Sequence, residues 1–190
     1  MNKLSERIEN LPSSATLAMA AKARELKNSG VDVISLSLGE PDFNTPDFIK
    51  EAAIKAIEEN YHSYPPVDGY FELKEAICEK FKRDNNLNYK PSQIVVSTGA
   101  KQSIANVCMA LLNKGDEVLL PAPYWVSYSA IVSLSEAKFK IIPTSMENGF
   151  KITPAQLKSE LTFKTRLIMF NSPNNPSGIV YSEKELREFA

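Results

Sequence analysis

The stretch Leu167-Ile168-Met169-Phe170 runs directly into Asn171-Ser172-Pro173-Asn174-Asn175-Pro176-Ser177-Gly178. The first four residues form a short apolar segment, which is typical of a buried strand. The eight that follow combine amide side chains, two prolines and a glycine, all of which favour turns. Open α/β sheets bind their ligands outside the carboxyl ends of their strands. The sequence therefore predicts a shaped polar loop, and a ligand site, at this edge of a sheet.

Strand and helix patterns alternate along the rest of the chain. Strands are predicted at Val31–Leu38, Ile94–Val96, Val118–Leu120, Lys140–Ile142 and Leu167–Phe170. Helical spacing of apolar residues lies between them, over 13–29, from Ile49 to Ile57, from Leu73 to Phe81, over 100–112, over 125–135 and from Pro154 to Leu161. This alternation predicts an α/β fold with a mostly parallel sheet covered by helices on both faces.

Four helix starts carry capping signals. Ser13 or Ser14 is the expected cap of the first long helix. Thr45-Pro46 is the expected cap of the next, with the proline at the first helical position. Thr153-Pro154 begins a short helix, and Ser182-x-x-Glu185 has the spacing of a capping box.

Composition argues against several classes of function. The net charge of −1 gives no basic footprint for nucleic acid or anionic lipid. No apolar run approaches the ~18 residues that span a bilayer, and Met1–Arg7 is not followed by the apolar region of a signal peptide. Cys78 and Cys108 form no CxxC pair, so buried free thiols in a reducing compartment are expected. We expect a cytoplasmic protein without a metal site.

Two further turns carry residues suited to chemistry. Ser97-Thr98-Gly99-Ala100-Lys101-Gln102 joins a strand to a helix, where unpaired amide groups favour a phosphate. The alternative is an ordinary tight turn. In Pro121-Ala122-Pro123-Tyr124-Trp125, the only tryptophan of the chain is placed to stack on a planar ring. The alternative is a core tryptophan.

Asn175 in the third turn offers an amide donor to a phenolate-type oxygen, and its alternative is a plain turn residue. A phosphate cup, a stacking aromatic ring and an amide donor together describe a pocket for a flat, phosphorylated heteroaromatic molecule. Pyridoxal 5'-phosphate fits that description.

At this point the sequence resembles the class I pyridoxal-phosphate-dependent aminotransferases, most of all the bacterial aspartate/prephenate type. The resemblance implies the large domain of a fold-type-I pyridoxal-phosphate transferase, with an incomplete sheet, over 46–190. An N-terminal arm and a small-domain segment would precede it over 1–45. The matching motifs stand in the family's order and spacing: Ser37–Phe43, Tyr64–Gly69, Ser97–Gln102, Pro121–Tyr128 and Asn171–Gly178.

The resemblance also implies the cofactor contacts. Gly99, Ala100 and Lys101 would surround the cofactor phosphate. Trp125 would stack on the pyridine ring, and Asn175 would hydrogen-bond its O3′ oxygen. A further contact is implied between Tyr64 and the phosphate of the neighbouring subunit's cofactor, which requires a homodimer.

Substrate contacts follow in the same way. Gly39 would donate its amide to the substrate α-carboxylate, and Lys101 would meet the distal carboxylate of an acidic substrate. Trp125 and Asn175 would complete the substrate site. The family's Schiff-base lysine, the aspartate of its pyridine nitrogen and its carboxylate-binding arginine are expected beyond Ala190, so no catalytic residue is assigned here.

The function expected from the resemblance is that of the N-terminal portion of an aminotransferase. Such an enzyme moves an amino group between an amino acid, here aspartate or glutamate, and a 2-oxo acid, and the isolated chain should be inactive. One alternative is a non-catalytic partner-binding module derived from this fold. Another is a pyridoxal-phosphate-dependent carbon–sulfur lyase of the same fold.

Overall fold

The computed structural model describes residues 3–11, 15–36, 39 and 41–190. Two compact units divide the chain. The sheet unit comprises Met1–Ser13 with Thr98–Ala190, and the helical unit comprises Ser14–Ser97. The sequence-based domain boundary between residues 45 and 46 stays a prediction.

The regular elements follow one another in a simple order. They are α1 (Glu6–Glu9), α2 (Ala15–Asn28), α3 (Asp47–Glu58), α4 (Phe71–Asn85), a 3₁₀ turn (Pro91–Gln93), α5 (Gly99–Leu111), β1 (Glu117–Pro121), α6 (Ser127–Leu134), β2 (Lys138–Ile142), α7 (Pro154–Glu160), β3 (Thr165–Ile168) and α8 (Glu183–Phe189).

The sheet has three strands in the order β2-β1-β3, and both pairs are parallel. The predicted parallel sheet is therefore confirmed. β1 and β2 pair without interruption from Glu117 with Lys138 to Pro121 with Ile142. β3 begins at Thr165 and ends at Ile168, two residues earlier at each end than predicted.

Two apolar cores lie on the two faces of β1, because successive side chains of a strand point to opposite sides. Val118 and Leu120 enter the first core, with Cys108 of α5 and residues of α6. Leu119 enters the second core, with Leu157 of α7. All three β1 side chains are fully buried, and each such burial is worth about 2 kcal/mol. Helices on both faces were predicted, and this packing confirms them.

Cysteine burial agrees only in part with the prediction. Both cysteines are free, and Cys108 is fully buried. Burial raises the pKa of its thiol. Cys78, on α4, is only half-buried.

Both predicted capping motifs of the sheet unit are present. The Thr153 hydroxyl accepts from the Gln156 amide at 3.2 Å, and the Gln156 side chain accepts from the Thr153 amide at 2.9 Å. At the start of α8 the Glu185 amide donates to Ser182 Oγ at 3.3 Å, and the Ser182 amide donates to Glu185 Oε2 at 2.6 Å. Each motif pairs amide groups that a helix start would leave unpaired.

The cap of α8 makes the stability of the sheet unit depend on pH. The Ser182 amide, the Lys151 ammonium and the Ser182 hydroxyl lower the pKa of Glu185 from 4.5 to about 2. A lowered carboxyl pKa stabilises the fold above the unfolded-state value, and this contribution is lost as pH falls from 4.5 towards 2. We expect Glu185→Gln to flatten the fall in melting temperature over this range.

Thermal unfolding followed by circular dichroism at a series of pH values measures the effect. Glu188→Gln, on the same helix, removes one carboxylate elsewhere and is the matched control. Parallel curves for wild type and Glu185→Gln would contradict the prediction.

In the helical unit, the long first helix is confirmed as α2, while its expected caps, Ser13 and Ser14, lie outside the described residues. The second cap was wrong in detail. Pro46 is itself the N-cap, with ψ of 143°, and α3 begins at Asp47. Its carbonyl accepts from the Ile49 amide at 3.0 Å, and its extended ψ keeps it outside the helix.

Two predicted strands were wrong as well. Residues 31–36 and 94–96 contain no strand, and residues 37 and 38 lie outside the described part of the chain. Alternating or apolar residues indicate a half-buried extended surface, whereas a strand also requires a partner for its backbone groups. Within 94–96 the Val96 amide donates instead to the Asp68 carbonyl, at 3.1 Å.

The turn at Asp68 and Gly69 packs tightly inside the helical unit. Gly69 has φ of +100°, and a Cβ placed on it would lie 2.5 Å from Val96 Cγ2. Beside it, the buried Lys74 ammonium meets Asp68 Oδ2 at 2.5 Å, and this hydrogen bond lowers the pKa of Asp68. A glycine is required here both for its backbone angle and for its missing side chain.

Candidate functional site

A cavity of about 320 Å³ opens in the sheet unit, beside the loops that follow β1 and β3. This is the edge of a parallel sheet where ligands bind. Three residues singled out from the sequence line it together, namely Ala100, Trp125 and Asn175. The remaining lining residues are Ile104, Tyr128 and Asn171.

The start of α5 provides unpaired donors at this cavity. Thr98 is the N-cap but makes no side-chain cap, and its own amide donates to Gln102 Oε1. The amides of Gly99, Ala100 and Lys101 have no acceptor among the described residues. Gly99 has φ of +80° with open space around its Cα. An uncapped helix start with clear access is suited to an anion.

Trp125 belongs partly to the core and partly to the cavity. Its ring packs against the first core and meets Tyr128 edge to face, with centroids 5.6 Å apart. The Lys101 ammonium lies 5.1 Å from the Trp125 ring centroid, within cation–π range. The core interpretation of the tryptophan agrees with this packing, while its stacking on a planar ring stays a prediction.

Tyr128 was not singled out from the sequence. It lies three residues after Trp125, in a turn at the start of α6 that is closed by a hydrogen bond from the Tyr128 amide to the Trp125 carbonyl at 2.9 Å. Burial raises the pKa of its phenol, so the ring remains neutral near pH 7. Its place at the end of the matching motif Pro121–Tyr128 was the signal that would have found it.

The two loops around the cavity are anchored by hydrogen bonds. The β1 loop, Pro121–Trp125, is held to the end of β2, where the Ala122 amide donates to the Ile142 carbonyl at 2.9 Å. The β3 loop, Asn171–Gly178, closes on itself, because the Gly178 amide donates to the Asn174 carbonyl at 2.7 Å. Asn175 itself is exposed at the cavity.

The remaining predicted site residues belong to the helical unit. Tyr64 is fully exposed, and Gly39 has open space where a side chain would be. Ser37, Leu38 and Glu40 of the first motif lie outside the described residues. The roles assigned to Gly39 and Tyr64 stay predictions.

The family profile described as aminotransferase class I and II matches residues 31–190. The chain belongs to this family. Among its relatives, an aspartate aminotransferase of Bacillus subtilis is 50% identical over 184 residues, which are 97% of this chain and 47% of the relative. An aspartate/prephenate aminotransferase of Nitrosomonas europaea is 50% identical over 185 residues, with the same shares covered. The resemblance inferred from the five motifs is thereby confirmed.

Solved structures agree with this membership. The crystal structure of the aspartate aminotransferase from Rhizobium meliloti superposes with a TM-score of 0.94 at 43% identity, covering 100% of this chain and 47% of that one. The chain thus spans about half the length of the curated relatives it matches. Its α/β fold, with a small parallel sheet and flanking helices, is that of a fold-type-I fragment. None of the described helices is both long and apolar enough to cross a membrane.

Proposed function

We propose that this chain forms the cofactor-binding part of an aminotransferase that uses pyridoxal phosphate. The observation that carries the proposal is the cavity where the open start of α5, the Trp125 ring and the Asn175 amide meet. These are a site for an anion, a flat apolar wall and a polar donor. Pyridoxal phosphate presents a phosphate, an aromatic ring and a ring oxygen, so the residues fit the group.

Each residue has a distinct task in this proposal. The amides of Gly99, Ala100 and Lys101 bind the phosphate, and the N-terminal end of the helix dipole favours its negative charge. Trp125 covers one ring face and keeps water from it. Asn175 donates to the ring oxygen and so fixes the rotation of the ring. The bound cofactor supplies an electron sink for amino-acid chemistry.

The proposed substrates are aspartate or glutamate and a 2-oxo acid. Two relatives carry aspartate in their names, and the Lys101 ammonium lies 5.1 Å from the Trp125 ring centroid, which supports a contact with the distal carboxylate of an acidic substrate. We assign the substrate contacts to Gly39, Trp125, Asn175 and Lys101. Arginine or lysine at such a position attracts a carboxylate through its charge.

We further propose a cytoplasmic homodimer in which Tyr64 reaches the partner's cofactor phosphate. The support for this role is that the Tyr64 ring is fully exposed on its loop. A large exposed aromatic side chain is typical of a residue that contacts a partner.

Titration with pyridoxal phosphate tests the proposal. We expect saturable quenching of Trp125 fluorescence, which Trp125→Phe removes, because this is the only tryptophan of the chain. Pyridoxal without the phosphate should bind at least about tenfold more weakly, since it lacks the charge-assisted hydrogen bonds. Equal binding of the two compounds would contradict a phosphate site at α5.

Reduction with borohydride separates binding from reaction. No lysine lines the described cavity, so the 190 residues are expected to bind the cofactor without a stoichiometric adduct at one lysine, and to be inactive. Such an adduct would overturn this assignment. A partner-binding module would bind no cofactor, and a carbon–sulfur lyase would catalyse β-elimination rather than transamination when the complete enzyme is assayed.

A further inference from the structure

The walls of the cavity belong to two separate loops. Trp125 ends the β1 loop, and Asn175 lies in the middle of the β3 loop. β1 and β3 are neighbours in the sheet, but their pairing ends at Leu119 and Ile168. Beyond that point, the sheet no longer fixes the distance between the two side chains.

One hydrogen bond joins the two loops. Asn174 Nδ2 donates to the Pro123 carbonyl at 3.0 Å, in a partly buried position. It is the only hydrogen bond between the β1 loop and the β3 loop, both of which the structure describes in full. The donor residue, Asn174, directly precedes Asn175, and the acceptor residue, Pro123, lies two residues before Trp125.

The backbone of Asn174 is itself fixed within its own loop. Its amide donates to the Ile179 carbonyl at 2.8 Å, and its carbonyl accepts from Gly178. The side chain therefore projects from a closed turn. Pro123 has no amide hydrogen, so the carbonyl that Asn174 meets is the only polar group of its backbone.

The buried side chain of Asn174 forms only part of the hydrogen bonds that its amide group can make. Asn174 Oδ1 is buried without a hydrogen-bond partner among the described residues. A buried unpaired acceptor lowers stability, and an apolar side chain of similar shape would avoid this cost. What the amide adds is the contact between the loops.

We propose that Asn174 is a positioning residue of the cofactor site, whose side-chain amide holds the β1 loop to the β3 loop so that Trp125 and Asn175 face one cavity. The identity of the ligand rests on the proposed function, whereas the loop contact does not. The residue acts through Trp125 and Asn175 and touches neither substrate nor cofactor in this assignment.

Asn174→Ala tests the proposal, with two measurements. In protein without cofactor, acrylamide should quench Trp125 with a constant about twofold higher or more, because the freed loop exposes the ring. Affinity for pyridoxal phosphate should fall about tenfold, because the freed loops hold Trp125 and Asn175 in the binding arrangement for only about a tenth of the time.

Ser172→Ala is the matched control within the same loop. Ser172 Oγ accepts from the Tyr181 amide at 3.0 Å, so it fixes the β3 loop without reaching Pro123. This variant should lower the melting temperature and leave Trp125 quenching and cofactor affinity unchanged. Equal changes in both variants would show general loosening of the loop and overturn the positioning role.

The remaining outcomes also decide the question. If Asn174→Ala changes neither quenching nor affinity, the inference is wrong. If it does not fold, the isosteric Asn174→Asp takes its place, and failure of both to fold would establish a structural role instead. If the wild type binds no pyridoxal phosphate, the proposed function fails, while the acrylamide comparison still tests the loop contact.

Discussion

Ala100→Glu is expected to weaken binding of pyridoxal phosphate by about 100-fold, through loss of charge-assisted hydrogen bonds and repulsion between like charges. Ala100 is exposed in the first turn of α5, and its amide has no acceptor among the described residues. A carboxylate placed there competes for the same donors and repels the phosphate. Titration by fluorescence or equilibrium dialysis measures the change.

The same substitution should not destabilise the protein. The first turn of α5 contains no acidic residue, and a carboxylate near a helix start typically adds about 0.3–1 kcal/mol of stability. The melting temperature should therefore stay constant or rise while binding is lost. Loss of affinity without loss of stability distinguishes a blocked phosphate site from a misfolded protein.

Asn106→Glu is the control for charge alone. Asn106 is exposed on α5 beyond the first turn, so its carboxylate lies away from the open amides. Its affinity for the cofactor should remain within about twofold of wild type, because exposed charges at this distance are screened. Wild-type affinity in Ala100→Glu would place the phosphate elsewhere.

Gly69→Ala is expected to lower the free energy of unfolding by about 3 kcal/mol, measured by urea denaturation. A non-glycine residue at φ of +100° is strained, which costs about 1–2 kcal/mol. The new Cβ would also lie 2.5 Å from Val96 Cγ2, and such overpacking adds about 1–3 kcal/mol.

Gly30→Ala separates the two causes. Gly30 lies in the same unit with φ of +88° and has nothing within 4 Å of a new Cβ. It should show the strain without the clash, so the difference between the variants measures the packing against Val96. Val96→Ala removes the nearest atom and should recover part of the loss in a double variant. Equal losses for Gly30→Ala and Gly69→Ala would exclude the packing contribution.

Local signals in the sequence predicted the sheet unit well. Thr153 and Ser182 each mark a cap whose partner stands three residues later, so the required information is contained in one turn. The apolar run Val118–Leu120 is also enough, without any distant partner, to predict a strand. These elements form because short-range preference and burial agree.

Signals that depend on a distant partner were less reliable. The pattern of Val31–Leu38 describes an extended surface, but it does not say whether another strand pairs with it, and residues 31–36 form no strand. The β3 loop shows the same limit. Its sequence supplies amides at Asn174 and Asn175, while only the structure shows that the first meets Pro123 and the second lines the cavity.

The central strand determines the point at which the β1 loop leaves the sheet. A slip of β1 by one residue against β2 would move Leu119 into the first core and expel Val118 and Leu120 from it. Small sliding of β1 is thus forbidden in both directions. Since the β1 loop starts at Pro121, the last residue of that strand, the near end of the loop is fixed along the sheet, and only its far end, at Trp125, depends on the hydrogen bond from Asn174 to Pro123.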